Sequence, residues 1–249
     1  MSQTILDLDD VSVSFDGFYA LTDLSFSLSP GELRSIIGPN GAGKTTFLDV
    51  ITGKVRPTKG DVILRGKSIV GLSEQKISRL GVGRKFQTPR VWENLTVQRN
   101  LELTASPNKN PFALLTETLS DAVKDEVFKI MEYVGLAPYA KWQAGSLSHG
   151  QKQWLAISML VAQSPDIILL DEPVAGLTDE ETSKTADLIK SLAGEHTVVV
   201  IEHDMEFIRD LGAPVTVLHQ GRKLTEGTMD EVKADPRVIE VYLGESDDH

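Results

Sequence analysis

Residues 33–45 read LRSIIGPNGAGKT, an apolar pentapeptide running directly into glycine-punctuated polar sequence. The stretch GPNGAGKT, Gly38 to Thr45, satisfies every fixed position of G-x-x-x-x-G-K-[ST]. LRSII has the make-up of a short buried strand, and FLDVITG reads as a helix stopping at Gly53, so the motif sits between strand and helix. Gly38, Gly41 and Gly43 let backbone N–H groups turn inward toward phosphate oxygens, with Pro39, Asn40 and Ala42 between them and Thr46 just beyond. The helix dipole adds positive potential at the same place. Lys44 supplies a point charge for the terminal phosphates, and the Thr45 hydroxyl is suited to Mg2+. A turn that only capped a helix would require neither residue.

IILLDEP supplies a second half. Four consecutive apolar residues mark a strand covered on both faces, and it ends on Asp171 and Glu172. Ligands of parallel α/β sheets sit at that end of the strands. Adjacent carboxylates repel unless a cation or proton intervenes. Mg2+ near Asp171 would offset the repulsion and leave Glu172 to polarise an attacking water.

Around these motifs the chain alternates strand and helix. ILDLDDVSVSF and LTDLSFSLS alternate apolar and polar residues as strands with one covered face, VILRGKSIV reads as a hairpin arm, and GVGRKFQ as a strand ending at Gln87. Helical periodicity takes over from about Asn94 to Leu136, where DAVKDEVFKIMEYVGL is an amphipathic helix closed by Gly135. KQWLAISMLVAQ is a largely apolar helix. A helix from about Asp179, the strand TVVVI, a helix from about Met205 and the strand PVTVLHQG complete the alternation, and the tail reads as two short helices split at Pro236. The expected organisation is one domain, residues 1–249, with helical residues 88–163 inserted in an α/β core and a helical tail from about 225 to 249.

Composition narrows the function. With 249 residues, 41% hydrophobic and 24% charged, the chain has ample core for a globular fold. It has no cysteine, which excludes disulfides and thiolate metal sites, and no apolar run long enough to span a bilayer. The start MSQTILDLDD is acidic and is not read as a signal peptide, so a cytoplasmic location is expected, with any membrane role coming from docking to another protein. A formal charge of −11 opposes general nucleic-acid binding.

SLSHGQKQW, Ser146 to Trp154, looks like a second phosphate-facing turn. Ser148 and Gln151 form S-x-x-Q, a capping box that fixes a sharp helix start and leaves N–H groups for an anion. Ser148 lies toward the end of the inserted helical block, which argues that the phosphate it meets belongs to a second copy facing the first. Other phosphate-loop classes fit less well: NKNP, Asn108 to Pro111, lacks the aspartate of a guanine-reading motif. Small-molecule kinases have no need of the SHGQ element.

Together GPNGAGKTT, RKFQ, LSHGQKQ, IILLDEP and VIEHD resemble the ATP-binding-cassette ATPases in order and spacing along nearly the whole chain. The resemblance implies a RecA-like core with an antiparallel β subdomain and an inserted α-helical subdomain, and a head-to-tail dimer sandwiching two ATP molecules. By the same resemblance Phe15 stacks on adenine, with Phe18 and Tyr19 as neighbouring rivals. Gln87 reaches Mg2+ and water, and His203 contacts the γ-phosphate. Ser148, His149, Gly150 and Gln151 act on the partner's ATP, and Gly176, Leu177 and Thr178 form the D-loop at the junction of the two molecules. Two positions depart from the pattern. His149 stands where glycine is commonest, and Thr178 where aspartate is usual, forming T-x-x-E with Glu181.

The SHGQ signature and GRKFQTPRVWENLTVQRNLEL look like uptake systems for branched-chain amino acids and urea, and RKFQTPRV, DVITGK and DEPVAGLTDEE most resemble the urea-uptake ATPases. The implied role is the motor of an importer for urea, a short amide or branched-chain amino acids, on the cytoplasmic face of the membrane. A permease helix would occupy a groove near Gln87 to Trp92. Rival classes are a cassette ATPase acting on DNA or ribosomes, and a non-hydrolysing dimerisation switch.

Overall fold

The computed structural model describes residues 4–85, 91–106 and 120–244. Two sheets organise them. The first is antiparallel, with β1 (Leu6–Phe15), β2 (Phe18–Leu28), β4 (Lys59–Leu64) and β5 (Lys67–Ser68) in the order β2-β1-β4-β5. The second holds β3 (Leu33–Ile37), β6 (Val82–Lys85), β7 (Ile167–Asp171), β8 (Thr197–Ile201), β9 (Val215–His219) and β10 (Arg222–Gly227) in the order β10-β9-β3-β8-β7-β6. Its strands pair in parallel except β10, which runs antiparallel to β9.

Helices cover both faces of the second sheet because its strands are apolar on both sides. Ile36, Leu169, Val199 and Ile201 point into one cluster with Phe47, Leu48 and Ile51 of α1 (Lys44–Ile51) and the inner face of the first sheet. The alternate residues Ile37, Ile168, Leu170, Val198 and Val200 point into the opposite cluster. There they meet α5 (His149–Val161), α6 (Asp179–Leu192) and α7 (Met205–Leu211), which follow α2 (Glu74–Arg79), α3 (Val97–Ala105) and α4 (Asp121–Tyr133) in the chain. Each such side chain, fully enclosed, contributes about 1.5–3 kcal/mol of transfer free energy.

A third cluster, around Val97, Leu101, Val127, Met131, Leu155 and Met159, lies between α3, α4 and α5. Helix α5 faces both ways, giving Ile157 and Leu160 to the sheet and Leu155 and Met159 to the helical cluster. The chain closes with α8 (Met229–Ala234) and α9 (Pro236–Gly244), divided at Pro236 as read from sequence.

Strand β10 differs from the sequence reading, which began a helical tail near 225. RKLTEG is polar and largely exposed, so it lacks the apolar alternation that reveals a strand. Buried Arg34 ties it down, pairing with Glu226 at 2.6 Å and Glu32 at 2.5 Å and donating to Thr216 Oγ1 at 3.0 Å. Among the described residues, no helix is long and apolar enough to cross a membrane.

Candidate active site

Strand β8 lies between β3 and β7, and Ile36, Ile201 and Asp171 stand abreast in register. Gly38, Glu172 and His203 therefore all emerge at the same edge of the sheet. That is the edge at which parallel α/β sheets receive ligands.

The phosphate loop leaves β3, turns through Gly41 (φ 77) and Gly43 (φ 100) and enters α1 at Lys44. Lys44 Nζ folds back over the loop, donating to the carbonyls of Gly38 and of Pro39, the latter at 2.8 Å. No acidic residue occupies the first turn of α1, so nothing there opposes the positive end of the helix. The loop is clamped from outside. Gly221, in the β9–β10 turn, donates to the Ala42 carbonyl at 3.0 Å while its own carbonyl accepts from Thr22 N–H at 2.9 Å.

A methyl group on Gly43 would lie 2.6 Å from the Ala20 carbonyl and 2.9 Å from Leu21 Cδ2. Gly43→Ala is therefore expected to cost at least about 2 kcal/mol, since left-handed backbone alone costs an L-residue roughly 1–2 kcal/mol. Urea unfolding measures it, and an unchanged midpoint would mean that the loop is not clamped. The same contact places the start of β2 against the loop. Phe15 and Phe18 pair across the adjacent hairpin turn, and Phe15, Phe18 and Tyr19 are 49%, 70% and 56% exposed. All three candidate adenine platforms thus share one tip beside the loop.

Asp171 closes β7, half-buried, and accepts from Arg84 Nη2 at 2.9 Å. Arg84, on β6, also pairs with Asp49 of α1 at 2.5 Å, and its side chain is 6% exposed. One guanidinium thus fastens the phosphate-loop helix to the strand that carries Asp171, using the planar fork that suits two carboxylates. Lys85 follows it, equally buried. Burial pushes its ammonium down to about 8, against the pull of Asp171 and Glu202.

Glu172 takes φ 46, uncommon for a residue other than glycine, and its N–H donates to the Ile201 carbonyl at 2.9 Å. Its Oε1 lies 3.8 Å from His203 Nδ1. His203 is also 3.7 Å from Glu202 Oε2 and largely exposed, standing at the mouth of the site. Gln87 lies outside the described residues.

The second turn forms as its sequence requires. Ser148 Oγ accepts from Gln151 N–H at 3.2 Å, and Gln151 Oε1 accepts from Ser148 N–H at 3.0 Å, a complete capping box on α5. Thr178 and Glu181 build the same device on α6. The structure joins the two departures. His149 Nε2 lies 3.2 Å from the Ala175 carbonyl, which can only accept, so Nε2 carries the proton. The His149 ring also lies against Gly176. A methyl on Gly150 would sit 2.3 Å from Glu181 Oε1, so the bare backbone there is what admits the carboxylate of the α6 capping box. Ser148, Gln151, Thr178, Glu181 and Lys184 line a cavity of 670 Å3, and no residue of the loop 38–46 lines it. Leu177, half-buried, packs on the core below.

A family model described as ABC transporter matches residues 21–175. The chain is 37% identical to the high-affinity branched-chain amino acid transport ATP-binding protein LivG of Escherichia coli strain K12, over 99% of this chain and all of that protein. The chain belongs to the ABC transporter family. A second model, described as branched-chain amino acid ATP-binding cassette transporter, matches residues 222–248 and places the cassette in the branched-chain amino acid group.

Solved structures agree on the fold. The cassette is similar to the ADP conformation of MJ1267, an ATP-binding cassette of an ABC transporter, with a TM-score of 0.84 and 29% identity over 97% of this chain and 99% of that one. It is also similar to a dimeric post-hydrolysis state of the ATP-binding cassette MJ0796 bound to ADP and Pi, with a TM-score of 0.74 and 27% identity over 90% and 98%. The expected α/β cassette with an antiparallel sheet and helical parts is therefore the fold observed.

Sequence reading missed Asp49, Arg84, Lys85 and Glu202. Each left a signal: Asp49 inside the apolar run of α1, Arg84 and Lys85 within a short strand, and Glu202 directly after an unbroken apolar strand, places where an unpaired charge is too costly to keep. Their partners lie tens of residues away, so the signal shows a need without naming what meets it.

Proposed function

We propose that the cassette is the ATP-hydrolysing motor subunit of a membrane importer. One observation carries this reading: Glu172 and His203 meet at 3.8 Å beside the loop that holds Lys44, on three adjoining strand ends. Backbone N–H groups of the loop residues 40–46 and the Lys44 ammonium bind the triphosphate, and one of the three hairpin aromatics, Phe15 first among them, stacks on the base. Glu172 takes the proton of the attacking water, and His203 presents its imidazole to the γ-phosphate.

Thr45 and Asp171 offer hard oxygen donors that suit Mg2+, with Gln87 as a further donor. Among the described residues no cluster of three or more His, Cys, Asp or Glu could cage a metal, which fits an ion shared with substrate phosphates. Bound Mg2+ would neutralise charge on the β- and γ-phosphates.

The Ser148 turn, whose hydroxyl oxygen accepts from Gln151 N–H at the start of α5, serves the ATP of a facing subunit, identical or sister. Gly176 to Thr178 sit at that junction. Binding closes the pair and hydrolysis reopens it, moving permease subunits that dock near Gln87 to Trp92 on the cytoplasmic face. The relatives' names favour branched-chain amino acids as the solute, while RKFQTPRV and DEPVAGLTDEE favour urea or a short amide.

Co-purification with the permease subunits and reconstitution into vesicles tests this. ATP-dependent uptake of labelled leucine is the expected result, and urea uptake instead would reassign the solute. Absence of both, with ATP turnover stimulated by DNA or ribosomes, would overturn the importer reading.

A further inference from the structure

Glu202 is 1% exposed and follows five buried residues of β8, at a position where an apolar side chain would avoid the cost of desolvating a carboxylate. Its two oxygens serve two segments. Oε1 accepts from Val174 N–H at 3.1 Å and Oε2 accepts from His203 N–H at 3.1 Å. Val174 is the second residue after Glu172, and Ala175 N–H returns to the Glu172 carbonyl at 3.4 Å.

The left-handed turn at Glu172 is thus held on the β7 side by Ile201, through its own N–H, and on the far side by Glu202, through Val174. A non-glycine residue keeps such a conformation only where its surroundings over-determine it. Burial pushes the Glu202 carboxyl above the usual range, while the two backbone donors pull it back. The same carboxylate fixes the backbone of His203, so one buried group sets both partners of the 3.8 Å contact between Glu172 and His203.

From this geometry we infer that Glu202 is a positioning residue for hydrolysis, bracing the Glu172 turn and the His203 backbone as one unit. The inference rests on the proposed roles of Glu172 and His203. Glu202 does not touch the reacting atoms. It decides where the two groups that do so are aimed, and through Val174 it also anchors the start of the segment leading to Gly176 and Thr178.

The test uses the full chain as Glu202→Gln, which keeps shape but turns an amide NH2 toward one of the two N–H donors. Glu202→Asp, which keeps charge but shortens the reach, is the second variant. A hydrogen bond to a charged group is worth enough to slow local opening roughly 10- to 100-fold. Amide exchange at Val174 or His203 should therefore accelerate by at least about tenfold, with the interiors of β7 and β8 unchanged. Turnover per folded molecule should fall at least about tenfold while KM for ATP stays within about threefold. Wild-type exchange rates at both amides in both variants would overturn the inference, as would turnover lost only in proportion to unfolded protein. If the wild-type cassette does not hydrolyse ATP, the functional reading fails by itself, and the exchange rates alone decide whether the brace exists.

Discussion

Glu172→Gln is expected to lower ATP turnover by at least about 100-fold while leaving ATP affinity within about threefold of wild type. Removal of a positioned general base typically costs 10²- to 10⁴-fold. Glutamine keeps the volume and one acceptor oxygen, so the backbone hold at Glu172, through Ile201 at 2.9 Å, is retained. In the proposed mechanism nucleotide affinity belongs to other residues, chiefly Lys44 and the backbone N–H groups of its loop. Binding and chemistry should therefore separate in this variant. Steady-state phosphate release and equilibrium nucleotide binding measure the two, and turnover within about threefold of wild type would remove Glu172 from the chemistry.

Arg84→Met should lower folding stability by about 3–5 kcal/mol, the usual cost of removing one partner of a buried ion pair. Arg84 holds Asp49 at 2.5 Å and Asp171 at 2.9 Å, and both carboxylate side chains are themselves mostly buried, at 11% and 15% exposure. Without the guanidinium, two negative groups face each other in a poorly hydrated place, on elements that the pair otherwise ties together. Arg84→Lys should recover only part of the loss, because one ammonium cannot fork to both acceptors. Urea unfolding of the three proteins measures this. A loss of less than about 1 kcal/mol for the methionine variant would show the bridge to be dispensable.

The legible parts of this cassette are those whose logic is local. Gly38 to Thr45 are contiguous, and the boxes Ser148–Gln151 and Thr178–Glu181 span four residues each, so both helix starts could be placed from the sequence. Strands β7 and β8 declared themselves by unbroken apolar runs. Strand β10 did not, because an exposed polar edge strand is held by a partner, Arg34, that lies far away in sequence. Glu202 reaches Val174 across 28 positions and Arg84 reaches Asp49 across 35, distances at which sequence shows a buried charge but not its counterpart. The adenine platform stayed threefold ambiguous for a structural reason: one hairpin carries Phe15, Phe18 and Tyr19 to the same tip. His149 looked like a defect in the signature until the fold brought the Ala175 carbonyl to it, at 3.2 Å.

The Ser148 turn and the loop of Lys44 are asked to cage one triphosphate between two molecules. A structure of the Glu172→Gln cassette in its transporter assembly, saturated with Mg-ATP, addresses this directly. The Ser148 hydroxyl of each cassette should lie about 2.7–3.0 Å from a γ-phosphate oxygen held by the opposite cassette's loop. Ser148 facing open solvent in that assembly, with ATP bound at Lys44, would contradict the account.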